Sequence, residues 1–335
     1  MARKPQWVEK EEGGWRCTLC PQACLWMDEN PLGLCRVRGL EAGRPALPGY
    51  GQCVSLAIDP IEKKPLYHFL PGSSILSTGP AGCNLRCAFC QNWTISQDDG
   101  ASTRYVAPQD LADMALNRGS DGVAFTYTEP TIWFEYIEDT APLVRKAGGV
   151  VVMVSNGYVS PEPLKRYLEL TDAWNVDLKS WTDGFYSRLC GGHLKPVLRT
   201  IRTIAQSPVH LEVTLLIIPG ENDSPQEWDG MASWLADNAG PEVPVHLSRY
   251  FPNYRHDGEV TPESMLAEAM EVFARRLHHV YLGNVAGGVR DTVCPQCGRV
   301  LVRRRGYQGR TLGVKDGRCT SCGAEVSVVD RIDRG

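Results

Sequence analysis

Nothing in this sequence is built to cross a bilayer. Its apolar runs, such as VAF (123–125) and VVMV (151–154), fall far short of the roughly 20 residues a spanning helix needs. The opening MARKPQWVEKEEGGW has no apolar core, so no secretory signal is expected and a cytoplasmic location is. Neither charge dominates: the net of −4 excludes bulk attraction to nucleic acid or an anionic surface and leaves only local patches. Internal repeats, low-complexity tracts and a Gly-rich nucleotide fingerprint are all missing. What remains is an ordinary globular composition, 43% hydrophobic and 22% charged over 335 residues, enough for one large domain with small appendages.

Cysteine is the exception. There are thirteen, and disulfides do not persist in a reducing compartment, so clustered thiols there read as metal ligands or redox groups. Eleven of the thirteen fall into three clusters: Cys17, Cys20, Cys24 and Cys35; Cys83, Cys87 and Cys90; Cys294, Cys297, Cys319 and Cys322. Cys53 and Cys190 stand apart.

Residues 1–48 read as a Cys-, Gly- and Pro-rich module, and 49–72 as a hairpin or connector. From 73 to 288 short apolar runs alternate with amphipathic segments, beginning at SILSTG and ending near HHVYLGN. Six such units predict a parallel sheet with helices outside, an open or partial (β/α)6 barrel. In that architecture function gathers at the C-terminal strand ends. The stretches GPAGCNLRCAFCQNW, TYTEPT, VSNGY, DLKS, IPGEND and RYFPN all fall there. Residues 289–335 form a separate tail.

The second cluster has spacing C-x3-C-x2-C. A structural zinc site takes four ligands and closes. Three cysteines leave a metal site open, and on a 4Fe-4S cluster the fourth iron is then free for a small molecule. Gly82 lets the chain turn as it leaves the strand. The competing reading is a zinc site completed by His or Asp, or merely buried thiols.

With Phe89 before the last cysteine, this motif resembles that of the radical S-adenosylmethionine (SAM) superfamily. The resemblance implies that SAM chelates the open iron and that a low-potential electron cleaves its sulfonium to a 5′-deoxyadenosyl radical. It also implies a reductant such as flavodoxin or ferredoxin. TYTEPT resembles the superfamily's GGEP loop, with Tyr127-Thr128 in place of the two glycines. Glu129 would then accept from the SAM ammonium; read locally, it opens a helix with Thr128 as cap and Pro130 in the first turn. VSNGY and NVDLKS resemble loops of the pyruvate formate-lyase activating enzyme branch, which implies that Asp177 and Lys179 face the SAM ribose and carboxylate. Read alone, they form a salt-bridged pair at a strand end. Gln91, Thr128 and Asn156 join the expected cofactor-binding set. Relatives often carry a His at the end of the sixth strand; this chain has RYFPNY, with Phe251 near that place.

Cys190, in a glycine-containing loop near the expected mouth, is either a thiol that donates a hydrogen atom or electron to substrate, or a small buried hydrophobe. The C-terminal CPQCG…CTSCG pair reads as a zinc ribbon holding Zn2+, with a rubredoxin-like iron site open to the same ligands. Residues 291–335 carry nine Lys/Arg against five Asp/Glu, net +4: an RNA or acidic-partner surface, or a solvated face. The N-terminal four suit zinc or a second iron–sulfur cluster.

Together these stretches resemble the radical SAM member of the AmmeMemoRadiSam system, which implies linkage to AMMECR-type and Memo-type proteins. The expected activity is hydrogen-atom removal from an unknown substrate, in its narrower form activation of a glycyl-radical protein. The alternatives are modification of a small molecule or RNA, and a non-catalytic metal-binding adaptor.

Overall fold

A computed structural model describes residues 3–117, 119–286 and 291–332. The expected boundary at 288/289, with Asp333 and Arg334 of the tail's charge, lies outside the described residues.

Seven strands run parallel in chain order: β1 (Ser74–Thr78), β2 (Gly122–Phe125), β3 (Val150–Ser155), β4 (Ala173–Asp177), β5 (His210–Ile217), β6 (Val245–Arg249) and β7 (Val280–Gly283). Six helices alternate with them: α1 (Pro108–Asn117), α2 (Phe134–Lys146), α3 (Pro161–Leu170), α4 (Leu194–Ala205), α5 (Pro225–Ala239) and α6 (Glu263–Ala274). Six βα units and a seventh strand make the partial barrel that the alternation predicts. Both faces of the sheet are covered, which is why its strands read as apolar runs.

Local sequence explains the elements. Val197, Ile201 and Ile204 recur along one buried side of α4, an apolar stripe at helical spacing. Ser224 caps α5 by accepting from the Glu227 N–H at 3.2 Å, with Pro225 in the first turn. Alternate strand residues divide the core: Leu76, Val123, Val151, Val213 and Leu247 pack with the helices, while Ile75, Ala124, Val152 and Ala173 belong to a second, inner cluster.

The hairpin expected within 50–72 does not form. Gln52–Cys53 pairs with Arg104–Tyr105, and Ala57–Pro60 lies antiparallel on β1 as the sheet's edge. Ile61, Leu66 and Phe69 then fill the inner cluster. Beside them sits a fully buried carboxylate, Glu212. It accepts from the N–H groups of Tyr67 and His68 at 3.0 and 2.7 Å, and faces the Nε2 atoms of His210 and His246 at 3.0 and 2.6 Å. A buried carboxylate is tolerable only with its lone pairs engaged in this way.

The tail clamps this plug: Leu70 N–H donates to Val329 O at 2.8 Å and Val329 N–H to His68 O at 2.7 Å. Arg304 lies over the Tyr67 ring, 4.5 Å from its centroid. The sheet ends at Ala57–Pro60 and at β7, which are not paired with each other. At that gap lies a cavity of about 550 Å³, bordered by Lys63, Tyr67, Ser248, Asn284, Arg305 and Tyr307. At the other end, the N-terminal module is anchored by a buried ion pair between Arg38 and Glu135 of α2.

Candidate functional site

The chain leaves β1 through glycines that no other residue could replace without movement. A Cβ on Gly79 would stand 2.2 Å from Thr126 O, and one on Gly82 would stand 2.0 Å from Cys35 O, with φ at +138°. The loop that follows is held by main-chain bonds from Arg86 N–H to Cys190 O (2.7 Å), Ala88 N–H to Leu189 O (2.8 Å) and Arg255 N–H to Ala88 O (2.9 Å). Phe89 is buried against Phe185. Cys83, Cys87 and Cys90 thereby border one cavity of about 250 Å³ at the C-terminal strand ends.

The same cavity is lined by Asp177 and Lys179, paired at 2.9 Å, and by Thr128 and Asn156. Gln91 lines it too. Burial works against the Lys179 ammonium, but Asp177 outweighs it and raises its pKa, with Cys87 and Cys190 adding to this only as thiolates. Lys179 therefore stays charged at neutral pH, poised for an anion. The IPGEND loop does more than turn: Asn222 Nδ2 donates to Lys179 O at 2.7 Å. Burial pushes the Cys83 and Cys90 thiols up, and proximity to Cys190 and burial do so for Cys87. Left alone these are neutral thiols, and it takes a metal to deprotonate them.

Three expectations change. Glu129 does not line the cavity. Its carboxylate is fully buried and accepts from Thr131 N–H (2.9 Å), Ser155 O–H (2.8 Å) and Asn156 N–H (2.7 Å). Three convergent donors draw it inward, where it ties the β2 loop to the β3 loop. Burial raises its pKa, and those donors oppose the rise. Glu129 rather than Thr128 caps the short 130–132 helical turn; Thr128 Oγ1 donates to Pro80 O at 2.7 Å instead. Cys190 is fully buried behind the cluster loop, within hydrogen-bonding reach of Cys87, and does not reach the mouth. It touches the loop twice, its carbonyl accepting from Arg86 N–H and its thiol lying against Cys87. Phe251 is 43% exposed beneath Arg249 and stays outside the cavity.

Tyr127 keeps a left-handed backbone, φ +68°, without being glycine. Such a conformation costs on the order of 1–3 kcal/mol and needs support. Its hydroxyl donates to Asp59 at 2.8 Å and Lys64 sits over its ring. Burial opposes ionisation of Asp59, yet Lys64 and Tyr127 hold it at about 2. Sequence reasoning missed Thr214, Ser248 and Asn284, which are among the other residues lining the cavity. The signal was available: Thr214 and Ser248 lie two residues beyond inward Glu212 and His246, and period 2 places them on the same face.

The two terminal clusters differ. Among the described residues, only Cys294, Cys297, Cys319 and Cys322 bring their sulfurs all within 4.8 Å of one another. Cys294 and Cys322 are 3.7 Å apart, Cys297 and Cys319 3.6 Å, close to the edge of a tetrahedron around one ion. Cys17, Cys20, Cys24 and Cys35 surround a small pocket against Asn84, without closing to that spacing.

Residues 79–234 match the family model of the radical SAM superfamily. The chain belongs to that superfamily. It is 38% identical to the uncharacterized protein MJ0808 of Methanocaldococcus jannaschii, over 98% of this chain and 99% of that one. The benzylsuccinate synthase activating enzyme of Thauera aromatica is 21% identical over 80% of this chain and 86% of its own. A radical SAM methyltransferase from Sphaerobacter thermophilus shares the fold, with a TM-score of 0.51 and 14% identity over 63% of this chain and 66% of that one. Membership implies a 4Fe-4S cluster and SAM, and the residues fit them. Three thiols border one cavity, and no fourth cysteine or histidine is among the residues lining it. Among the described residues, no helix is long and apolar enough to cross a membrane.

Proposed function

We propose that the chain is a radical SAM enzyme of the pyruvate formate-lyase activating enzyme branch, the radical SAM member of the AmmeMemoRadiSam system. It removes a hydrogen atom from its substrate. The observation that carries this reading is the single cavity lined by Cys83, Cys87, Cys90 and the Asp177–Lys179 pair. Cys83, Cys87 and Cys90 would hold a 4Fe-4S cluster and, being three, would leave one iron open to SAM. When bound, this pair supplies a carbon radical strong enough to take hydrogen.

The protein's own work is positioning. Lys179 meets the SAM carboxylate, Asp177 the ribose hydroxyls, and Asn156 both Cys83 (Nδ2 to Sγ, 3.6 Å) and the cavity wall. Glu129 acts through Asn156, fixing its backbone. Cys190 serves as loop support. Substrate approaches through the gap between Ala57–Pro60 and β7, whose cavity shares Ser248 and Asn284 with the SAM site. A flavodoxin or ferredoxin supplies electrons, AMMECR-type and Memo-type proteins are its partners, and the tail holds zinc.

Anaerobic reconstitution with iron and sulfide, followed by SAM and reductant, tests this. The expected products are 5′-deoxyadenosine and methionine, lost in each of Cys83→Ala, Cys87→Ala and Cys90→Ala. SAM left intact by wild-type protein that carries a full cluster would remove the proposal and favour a metal-binding adaptor.

A further inference from the structure

The four N-terminal cysteines have work that neither the fold nor the SAM site absorbs. Their sequence spacing allows zinc or an iron–sulfur cluster, and the separations of their sulfurs differ from those of the C-terminal four. A zinc–thiolate bond of about 2.3 Å puts tetrahedral sulfurs about 3.8 Å apart. The C-terminal four stand at 3.6 and 3.7 Å. No three of the N-terminal sulfurs gather within even 4.8 Å of one another, and neither do Cys83, Cys87 and Cys90. Yet Cys17, Cys20, Cys24 and Cys35 all border one pocket, with room for a water-sized sphere, about 10 Å³, between its walls. A cubane cluster places an iron between each thiolate and the centre, which spreads the sulfurs. The same chain thus contains a closed tetrahedral set and two spread sets.

We infer that Cys17, Cys20, Cys24 and Cys35 hold a second 4Fe-4S cluster, and that it relays electrons to the cluster at Cys83, Cys87 and Cys90. Four thiolates leave no iron open, so this cluster cannot anchor substrate or SAM; one-electron transfer is what a fully ligated cluster can do. Its pocket is lined by Leu19, Trp26 and Ile132 together with the polar Gln22, Arg38 and Asn84. The route is short. Asn84 borders the N-terminal pocket, is the peptide neighbour of Cys83, and accepts at Oδ1 from Asn156 Nδ2 at 2.9 Å. Gln22, between two of the ligands, donates to Asn84 O at 2.8 Å and Gly191 O at 2.7 Å. Gly82 packs its bare Cα against Cys35 O. The two cysteine loops are one body.

The electrons balance. A one-electron donor of the flavodoxin or ferredoxin class reduces the N-terminal cluster from 2+ to 1+. That electron passes through Asn84 and Cys83 to the second cluster, returning the first to 2+. It then enters the SAM sulfonium, whose carbon–sulfur bond breaks to methionine and a carbon radical.

The relay rests on the SAM reading of Cys83, Cys87 and Cys90; the cluster itself does not. The full chain carrying C83A/C87A/C90A is reconstituted without oxygen. The expected result is about four iron and four sulfide per chain, with a reduced EPR signal that SAM does not change. Zinc at that site, or no iron, overturns the inference. The converse variant, C20A/C24A, is expected to keep only a SAM-responsive signal. Its ratio of flavodoxin-driven to dithionite-driven 5′-deoxyadenosine formation should fall at least tenfold. An unchanged ratio overturns the relay while leaving the cluster. Should C20A/C24A fail to fold, N84A, which keeps all ligands, is read for the same ratio. A wild-type chain with no SAM-responsive signal would instead remove the reading of the first site, and the triple variant would still report the second.

Discussion

Replacing Glu129 by Gln separates two roles for the most buried acid near the site. The carboxylate accepts three hydrogen bonds, two at one oxygen and one at the other. Glutamine offers one acceptor. In its better orientation the amide oxygen keeps Thr131 and Ser155, and the NH2 group is turned against the Asn156 N–H, donor facing donor. Hydrogen bonds to charged groups contribute about 1.5–3 kcal/mol, and a buried N–H left unpaired costs about 1–3 kcal/mol. Rotation of the Ser155 hydroxyl recovers part of this, so a loss of roughly 2–4 kcal/mol follows. At about 1.4 °C per kcal/mol for a chain of 335 residues, Tm should drop by roughly 3–6 °C. Calorimetry on the full chain before cluster loading measures it, and SAM titration of the loaded chain measures the functional consequence. SAM affinity should weaken together with stability, because Asn156 moves. A variant with unchanged Tm and SAM binding weakened more than tenfold would show that the carboxylate faces the ligand, and the structural role would be wrong.

Asp177→Asn and Lys179→Met should each weaken SAM binding about 10- to 100-fold, the equivalent of about 1.4–2.8 kcal/mol; equal Kd values in titration calorimetry for both variants and wild type would exclude this pair from the SAM site. Cys297→Ser should lower bound zinc by about one per chain without lowering iron, as read by elemental analysis. It should also lower Tm, because residues 327–329 pair with 68–70. Stability should fall on acidification below about pH 6.5. Burial holds His68 well below its usual value, helped by His279, so the unfolded chain takes up a proton that the folded one refuses. Stability is then complete above 6.5 and declines below it, by at most about 1.4 kcal/mol per pH unit for each such proton. Burial of Glu212 is outweighed by His210 and His246, which depress its pKa, so its contribution persists to lower pH. Equal urea midpoints at pH 7.5 and 5.5 would contradict the histidine assignment.

The sequence determined what depends on neighbours along the chain. Apolar runs alternating with capped, amphipathic stretches such as SPQEWDGMASWLADN dictate strands and helices, and that alternation permits little besides a parallel sheet with helices outside. Three thiols within eight residues are local too, as is the ribbon's pair of knuckles. Only the tertiary structure decided where side chains spend their polar atoms. Glu129 turned inward because Ser155 and Asn156, 26 and 27 residues away, present donors there. Cys190 went behind the cluster loop because that loop's N–H groups found carbonyls more than a hundred residues distant. Ser248 and Asn284 joined the site because six βα crossings brought their strand ends to it. The spread of the N-terminal thiols, on which the inferred cubane rests, is likewise a distance between sulfurs. Spacing along a chain fixes which residues can meet, but the gap between them depends on how the whole backbone packs.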